Sequence, residues 1–221
     1  MGGYLDPRLE ARIAAALPGD VFVSLSSQVL PEIREFERLS TACANAYVRP
    51  LMARYLERLA GELQAMGLDC PFLLMTSGGG LTTLETASRF PIRLVESGPA
   101  GGAILARDVA RAAGLERVLS FDMGGTTAKL CLIDDYEPLT SRSFEVDRVY
   151  RFRKGSGLPV RIPVIEMVEI GAGGGSIAQV DKLGRIQVGP ESAGSEPGPA
   201  AYGRGGERPT VTDADVQLGR V

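Results

Sequence analysis

The sequence predicts an α/β fold in which helices and strands form layers around a mixed sheet. Helical patterns alternate with short apolar runs through the first 120 residues, and strand patterns dominate the rest of the chain. The hydrophobic share of 44% is enough for a core, and the 28 glycines gather in a few connecting loops. This order of elements is typical of layered α/β domains.

The chain begins with helical patterns. Asp6 and Pro7 open a short helix that runs to Ala16, with Asp6 as its N-cap. Residues 21–25 have the composition of a strand. Apolar residues then recur at close to helical spacing from 31 to 66, which predicts a long amphipathic segment that Pro50 breaks or bends.

Two strand-and-helix pairs follow. The apolar run at 71–75 predicts a buried strand, and a glycine loop leads from it into a short helix beginning near Leu81. Residues 92–96 predict another strand, and residues 97–114 predict a helix rich in small side chains.

The later part of the chain is predicted to consist mainly of strands and loops. Extended patterns occur at 117–121, 127–133, 143–151, 163–170, 176–180 and 185–188. The last two form a hairpin. A loop rich in Gly, Pro and Ser covers 189–206, and Thr212 and Asp213 then cap a further helix.

Charge and histidine content exclude several classes of function. The formal net charge is −3, from 24 basic and 27 acidic residues of interspersed sign. The one basic cluster, at 148–154, is short and is explained by a solvated strand or loop, so we expect no nucleic-acid partner. Histidine is absent, which excludes Ser-His and Cys-His nucleophiles and imidazole metal sites within this chain.

The cysteines and the apolar runs predict a location. Cys43, Cys70 and Cys131 fit neither a disulfide framework nor a metal motif, and we expect Cys43 and Cys131 to be small core residues. A reducing cytoplasm is the simplest setting. No apolar run has the length of a membrane span and no signal peptide is recognisable, so no membrane contact is expected.

Residues 118–133 are the strongest candidate for chemistry. An apolar strand leads into a glycine turn and a second apolar strand, and the candidate residues are Asp122, Gly124, Gly125, Thr126 and Thr127. Glycines let backbone N–H groups approach phosphate oxygens closely, and Thr hydroxyls add donors. A carboxylate at the strand end suits Mg²⁺, which keeps several of its waters.

Two common nucleotide motifs are excluded for this stretch. It lacks the Gly-Lys-Ser/Thr of a Walker A loop, and a strand rather than a helix follows it, unlike a Rossmann fingerprint. On the residues alone, a plain hairpin turn of the form Asp-x-Gly-Gly explains the pattern equally well.

A second glycine loop occupies residues 171–176. The backbone N–H groups of Gly173, Gly174, Gly175 and Ser176 are candidate ligands for a nucleotide or substrate. The alternative is a glycine hinge at which the chain passes close to another backbone segment.

Many segments, in order along the chain, resemble the hydantoinase A / 5-oxoprolinase family. They include Leu-Ser-Ser-Gln-Val-Leu-Pro-Glu at 25–32, Thr-Ser-Gly-Gly-Gly at 76–80, Ser-Gly-Pro-Ala at 97–100, Phe-Asp-Met-Gly-Gly-Thr at 121–126, Gly-Ala-Gly-Gly-Gly-Ser-Ile-Ala at 171–178 and Pro-Thr-Val-Thr-Asp-Ala at 209–214. The strand–Asp–glycine turn–strand unit also resembles the second phosphate loop of the actin, sugar-kinase and heat-shock ATPase superfamily.

The resemblance implies an actin-like ATPase (ribonuclease H-like) fold, present here as a partial domain. Residues 1–115 would complete its first half and residues 116–221 would begin its second. The implied activity is ATP-dependent hydrolysis of cyclic amides, with ATP and Mg²⁺ as cofactors and Asp122 as the catalytic, metal-holding residue. A companion hydantoinase B-type subunit and an oligomeric full-length protein are further implications.

Departures from the family pattern qualify the expected activity. The family begins with an earlier Asp-Gly-Gly-Thr loop, which does not precede Asp122 here, and family members continue beyond the position of Val221. The chain therefore resembles an internal fragment that is inactive in isolation. Lys129 stands where many relatives have Asp. The alternatives are a sugar-kinase-like or acetate-kinase-like phosphotransferase, or a non-catalytic actin-like module that binds a partner subunit.

Overall fold

The computed structural model describes residues 3–150 and 155–221 and confirms the α/β class. Part of the basic cluster and the end of the extended pattern at 143–151 lie outside the described residues. The helices are α1 (Arg8–Ala15), α2 (Ser26–Val29), α3 (Glu35–Ala65), α4 (Leu84–Arg89), α5 (Ser97–Ala113) and α6 (Val211–Gln217), with 3-10 turns at Pro91–Leu94 and Ala200–Tyr202.

The strands are short and every pair formed by the described residues is antiparallel. They are β1 (Leu73–Met75), β2 (Leu81–Thr83), β3 (Arg117–Met123), β4 (Ala128–Asp134), β5 (Glu137–Pro138), β6 (Thr140–Ser141), β7 (Phe144–Val146), β8 (Leu158–Val160), β9 (Val164–Ile165), β10 (Val168–Ile170), β11 (Ser176–Val180) and β12 (Ile186–Ser192). A mixed sheet is expected from the sequence. The described residues show only antiparallel pairs, because tight turns join β3 to β4 and β11 to β12 and such turns produce antiparallel pairs.

The described chain forms two compact units. One comprises residues 1–104 and 140–165, and the other comprises residues 105–139 and 166–221. The chain thus leaves the first unit within α5 and returns to it for β6 to β9. The division at residues 115 and 116 made from the sequence is a single cut, and it stays a prediction about the larger fold.

The core of the first unit lies between α3 and the β8–β9 segment. Its buried apolar side chains are Val29, Ala42, Ile92, Val160, Ile162 and Val164. Polar contacts fix the helix to this segment, because Ser40 Oγ donates to the Pro159 carbonyl at 2.5 Å and Thr41 Oγ1 accepts from the Arg161 N–H at 2.9 Å. These bonds satisfy backbone groups that no strand partner reaches.

Asn45 is a fully buried polar residue of α3 that joins three chain segments. Its Nδ2 donates to Ser24 Oγ and to the Arg89 carbonyl, each at 3.0 Å, and its Oδ1 accepts from the Ile92 N–H at 3.3 Å. A buried amide is stable only when its donors and acceptor are satisfied. Asn45 therefore fixes the positions of the loop before α2, the end of α4 and the first 3-10 turn.

Two strand predictions in the first unit are wrong, and side-chain hydrogen bonds explain both. Residues 21–25 are not a strand, because Arg49 Nη1 binds the Val23 carbonyl and Asn45 holds Ser24. The predicted strand at 92–96 is instead largely the 3-10 turn at Pro91–Leu94, with Pro91 favourably placed at its start.

Several helix boundaries also differ from the predictions. α3 begins at Glu35 and runs through Pro50 as one helix of 31 residues, because a proline removes a single hydrogen bond from a helix that packing supports elsewhere. β2 occupies residues 81–83 before α4 begins, since Leu81–Thr83 pairs with β1. Pro7 rather than Asp6 is the N-cap of α1, and the Asp6 carboxylate accepts from the Arg8 N–H at 3.1 Å.

The second unit is built on the β3–β4 hairpin. β10 pairs with the other edge of β4, and β5 extends β4 near its end. The predicted hairpin is confirmed as β11 and β12. A capping box begins α6, since Thr210 Oγ1 accepts from the Asp213 N–H while the Asp213 carboxylate accepts from the Thr210 N–H. Asp213 thus takes part in the cap, although Thr210 rather than Thr212 is the cap residue.

Two remaining expectations can be compared with the structure. Cys131 is buried as predicted, whereas Cys43 is exposed on α3, because its position turns away from the core that Ala42 and Asn45 face. Burial raises the pKa of the Cys131 thiol. Within residues 3–150 and 155–221, no helix is both long enough and apolar enough to cross a membrane.

Replacing Asn45 by alanine is expected to destabilise the chain by about 3 kcal/mol, because buried polar groups on three segments lose their partner. Urea denaturation followed by circular dichroism measures the change. Tyr47→Ala is the control on the same helix: Tyr47 is 88% exposed, and its loss should alter the free energy of unfolding by less than about 0.5 kcal/mol. Equal effects of the two substitutions would contradict the role given to Asn45.

Candidate functional site

The glycine turn predicted to bind phosphate joins β3 to β4. The strand register continues to Met123 and Ala128, and the Gly124 N–H closes the turn by donating to the Thr127 carbonyl at 2.9 Å. Gly124, Gly125 and Thr126 are exposed and Thr127 is half-buried. The apex of the hairpin is therefore open to solvent.

The second glycine loop packs against this turn. The Gly174 N–H donates to the Gly124 carbonyl at 2.9 Å, and the Gly175 N–H donates to the Gly125 carbonyl at 2.7 Å. The sequence separates these partners by about fifty residues, and the structure brings them into direct contact within one unit. The two candidate loops thus form a single site.

The hydrogen bonds of the turn leave its donors available. The carbonyl oxygens of Gly124, Gly125 and Thr127 all accept bonds from the protein, whereas the N–H groups of Gly125, Thr126 and Thr127 bind no group in the described part of the chain. Successive unpaired N–H groups on an exposed turn attract an anion. The predicted phosphate-binding residues therefore have the required donors.

The N–H groups of the second loop are already engaged. Gly173 donates to Ser176 Oγ at 2.9 Å and Ser176 donates to the Gly173 carbonyl at 2.9 Å, while Gly174 and Gly175 donate to the turn. The idea that Gly173, Gly174, Gly175 and Ser176 contact a nucleotide stays a prediction. The structure adds a supporting role, since the Gly174 and Gly175 N–H groups bind the Gly124 and Gly125 carbonyls of the turn.

Close packing explains why this loop is made of glycine. A Cβ added to Gly173 would lie 2.6 Å from the Gly124 oxygen and equally close to backbone atoms of Thr126 and Thr127. A Cβ on Gly175 would lie 2.9 Å from the Gly125 oxygen. Because the obstructing atoms are backbone, the neighbours cannot move aside without moving the turn.

Two further segments support the site, and sequence reasoning did not place them there. The Thr212 N–H donates to the Gly174 carbonyl and the Ala193 N–H donates to the Gly175 carbonyl, each at 2.8 Å. The sequence predicts Thr212 only as a helix cap. No local pattern signals this contact, although the Pro-Thr-Val-Thr-Asp run does signal an ordered helix start.

The carboxylate of Asp213, next to Thr212 in α6, is stabilised in its ionised form. Burial opposes its ionisation, but hydrogen bonds from the Ala201 N–H at 2.7 Å and from Thr210 outweigh that effect and hold the pKa of the carboxyl below its ordinary value. The Asp213 carboxylate, which binds the loop after β12 through the Ala201 N–H, is thus charged at neutral pH.

Asp122 lies in a row of charged residues that crosses the sheet. Lys129 is its direct partner on β4, and Glu169 is the partner of Lys129 on β10, so the three side chains share one face. Asp122 is half-buried and lies two residues before the turn. A cation between two carboxylates balances part of their charge.

Asp122 fits the sparse coordination of Mg²⁺. Among the described residues there is no group of three or more His, Cys, Asp or Glu side chains that could form a metal cage. Magnesium is commonly held by one or two carboxylates together with waters and nucleotide phosphates. A single carboxylate beside the predicted phosphate-binding turn suits that mode and does not suit a structural metal.

The chain matches one protein family over most of its length. Residues 38–221 match the family model described as Hydantoinase/oxoprolinase. The caprolactamase subunit alpha of Pseudomonas jessenii is 40% identical over 214 residues, which are 97% of this chain and 29% of that protein. The acetophenone carboxylase gamma subunit of Aromatoleum aromaticum is 36% identical over 206 residues, which are 92% of this chain and 26% of that protein.

The fold is also found in solved structures. The crystal structure of the ATP-dependent caprolactamase from Pseudomonas jessenii superposes with a TM-score of 0.73 at 36% identity, covering 99% of this chain and 31% of that chain. The present chain thus spans less than a third of the length of these relatives.

Gly173→Ala is expected to destabilise the chain by about 3 kcal/mol, since the new methyl group overlaps the backbone of the turn. Gly125→Ala is the matched control within the same site: nothing lies within 4 Å of its added Cβ, so its stability should stay within about 0.5 kcal/mol of the unmodified chain. Thermal and urea unfolding measure both variants. A Gly173→Ala variant as stable as Gly125→Ala would show that the two loops are not in contact.

Proposed function

The chain belongs to the hydantoinase/oxoprolinase family, and on this basis we propose that it is part of an ATP-dependent enzyme that hydrolyses cyclic amides. In this proposal the chain supplies one wall of the nucleotide-phosphate site. Residues 116–221 carry that wall as the beginning of the second actin-like half, and residues 1–115 complete the first half. The relatives named as an ATP-dependent caprolactamase and its alpha subunit support both the nucleotide and the substrate class.

One observation carries the proposal. The N–H groups of Gly125, Thr126 and Thr127 bind no other group in the described chain, on an exposed turn whose Gly124 and Gly125 carbonyls accept bonds from the second glycine loop. Such a turn presents three successive donors, which favours phosphate oxygens over neutral ligands. A plain hairpin turn, the alternative left by the sequence, would not require a second glycine loop hydrogen-bonded to it.

The residues of the site have distinct roles in this proposal. The turn N–H groups bind and orient the phosphates, and the Thr126 and Thr127 hydroxyls add donors. Asp122 holds Mg²⁺ through its waters. ATP, when bound, supplies the phosphoryl group that makes the amide carbon electrophilic toward water. Lys129 reduces the negative charge that Asp122 and Glu169 present to the phosphates.

A companion subunit is the second part of the proposal. Two of the similar proteins are named as single subunits. The face of the sheet opposite Asp122 carries apolar side chains that are largely exposed, among them Leu119 at 57%, Phe121 at 57%, Leu132 at 61% and Val168 at 64%. Such a face favours coverage by further polypeptide of the same enzyme or its partner. In this proposal the companion is a hydantoinase B-type subunit. The full-length protein is oligomeric, and its location is a reducing cytoplasm.

Nucleotide turnover in the longer polypeptide tests the proposed reaction. A cyclic amide such as a lactam should stimulate ADP release in the presence of the companion subunit. Asp122→Asn should lower the stimulated rate by about 100-fold, because Mg²⁺, the counter-ion of the phosphates, loses the carboxylate that holds it. A coupled assay for ADP measures this rate.

The control is Asp134→Asn, at the far end of β4, which removes an exposed carboxylate of the same hairpin and should leave the rate unchanged. Stimulation by a sugar or by acetate in place of the amide would identify a phosphotransferase instead. Stimulation by none of these, with the companion subunit present, would support the non-catalytic module.

A further inference from the structure

A cavity of about 190 Å³ lies in the first unit, beside the segment that Asn45 holds in place. Its charged side chains are Arg49 of α3 and Arg89 at the end of α4, and no acidic residue lines it. Ser24 and Gln28 contribute further polar groups. The cavity is smaller than the several hundred Å³ of a site for a drug-sized molecule, so a ligand here must be small.

Arg49 has a buried donor that the protein does not use. Its Nη1 donates to the Val23 carbonyl, and its guanidinium carbon lies 5.6 Å from the centre of the Phe22 ring. Its Nε is the one buried side-chain nitrogen or oxygen without a hydrogen-bond partner in residues 3–150 and 155–221. A buried N–H group without an acceptor is unfavourable, so the hydrogen bonds within the protein do not fully satisfy this guanidinium group.

Arg89 brings a second positive charge to the same cavity. Its guanidinium carbon lies 5.3 Å from the centre of the Phe90 ring, and its Nη2 donates to Gln28 Oε1 at 3.3 Å. Burial and, after it, repulsion by Arg89 lower the pKa of Arg49. The two cations therefore repel each other across a space that contains no acidic side chain.

The walls of the cavity are fixed before any ligand binds. Asn45 binds Ser24 Oγ and the Arg89 carbonyl, which join the loop before α2 to the end of α4. Each guanidinium group also lies over an aromatic ring, which limits the orientations open to it. Little conformational entropy is then lost when a ligand joins the two arginines.

We propose that this cavity binds a small oxyanion, such as inorganic phosphate or a carboxylate, between Arg49 and Arg89. The anion accepts hydrogen bonds from the two guanidinium groups and offsets the repulsion between the two cations. Guanidinium groups suit this task, because they donate several charge-assisted hydrogen bonds in one plane. The site is independent of the glycine turn and of the proposed ATP chemistry.

Nuclear magnetic resonance of the arginine Nε–H groups tests the proposal on the chain as it stands. Inorganic phosphate, and in a second series acetate, is titrated at constant ionic strength, and Arg49→Lys identifies the Arg49 resonance by its loss. We expect the Arg49 Nε–H signal to shift in a saturable way with at least one of these anions.

Two variants separate a built site from general attraction of anions. Arg89→Met should raise the apparent dissociation constant by about tenfold or more, since a charge-assisted hydrogen bond is lost. Arg54→Met removes an exposed charge from α3 and should leave the constant unchanged. The proposal is overturned if neither anion moves the Arg49 signal, or if the titration curves of the Arg89→Met variant and the unmodified chain coincide.

Discussion

The candidate site depends on two backbone hydrogen bonds, from the N–H groups of Gly174 and Gly175 to the carbonyls of Gly124 and Gly125. They engage the carbonyl oxygens of Gly124 and Gly125, while the N–H groups of Gly125, Thr126 and Thr127 bind no group among the described residues. The same contacts explain the glycines at 173 and 175, because a Cβ at either position would overlap the turn. The proposed anion binding at one loop thus depends on packing by the other.

The two units use different means to fix their functional segments. In the second unit, glycine permits backbone to lie directly on backbone. In the first unit, α3 reaches its neighbours through polar side chains, chiefly Asn45 and Arg49. Asn45 is fully satisfied and rigid, whereas Arg49 retains one unused donor beside a cavity. The contrast fits a structural role for Asn45 and the binding role that we propose for Arg49.

Local patterns in the sequence were sufficient for elements whose partners are close in the chain. The β3–β4 hairpin, the β11–β12 hairpin and α5 follow from apolar periodicity and glycine turns. The segments at 21–25 and 92–96 have strand composition but bind side chains of α3, and strand propensity does not register such distant partners.

The site itself was only partly predictable. The residues of the turn were recognisable from their order in the sequence, because an Asp, two glycines and two threonines between apolar strands form a compact pattern. The contact between the turn and residues 173–176 joins segments far apart in sequence, as does the support from Thr212. A glycine run indicates that another backbone segment passes close by, but it does not indicate which segment that is.

The amide ¹H–¹⁵N spectrum of the chain, recorded during titration with Mg·ADP, tests whether the N–H groups of the glycine turn bind phosphate. We expect the signals of Gly125, Thr126 and Thr127 to shift progressively, while those of Gly174 and Gly175 change little because their N–H groups stay bonded to the turn. Shifts confined to residues 173–176, with the turn amides unmoved, would contradict it.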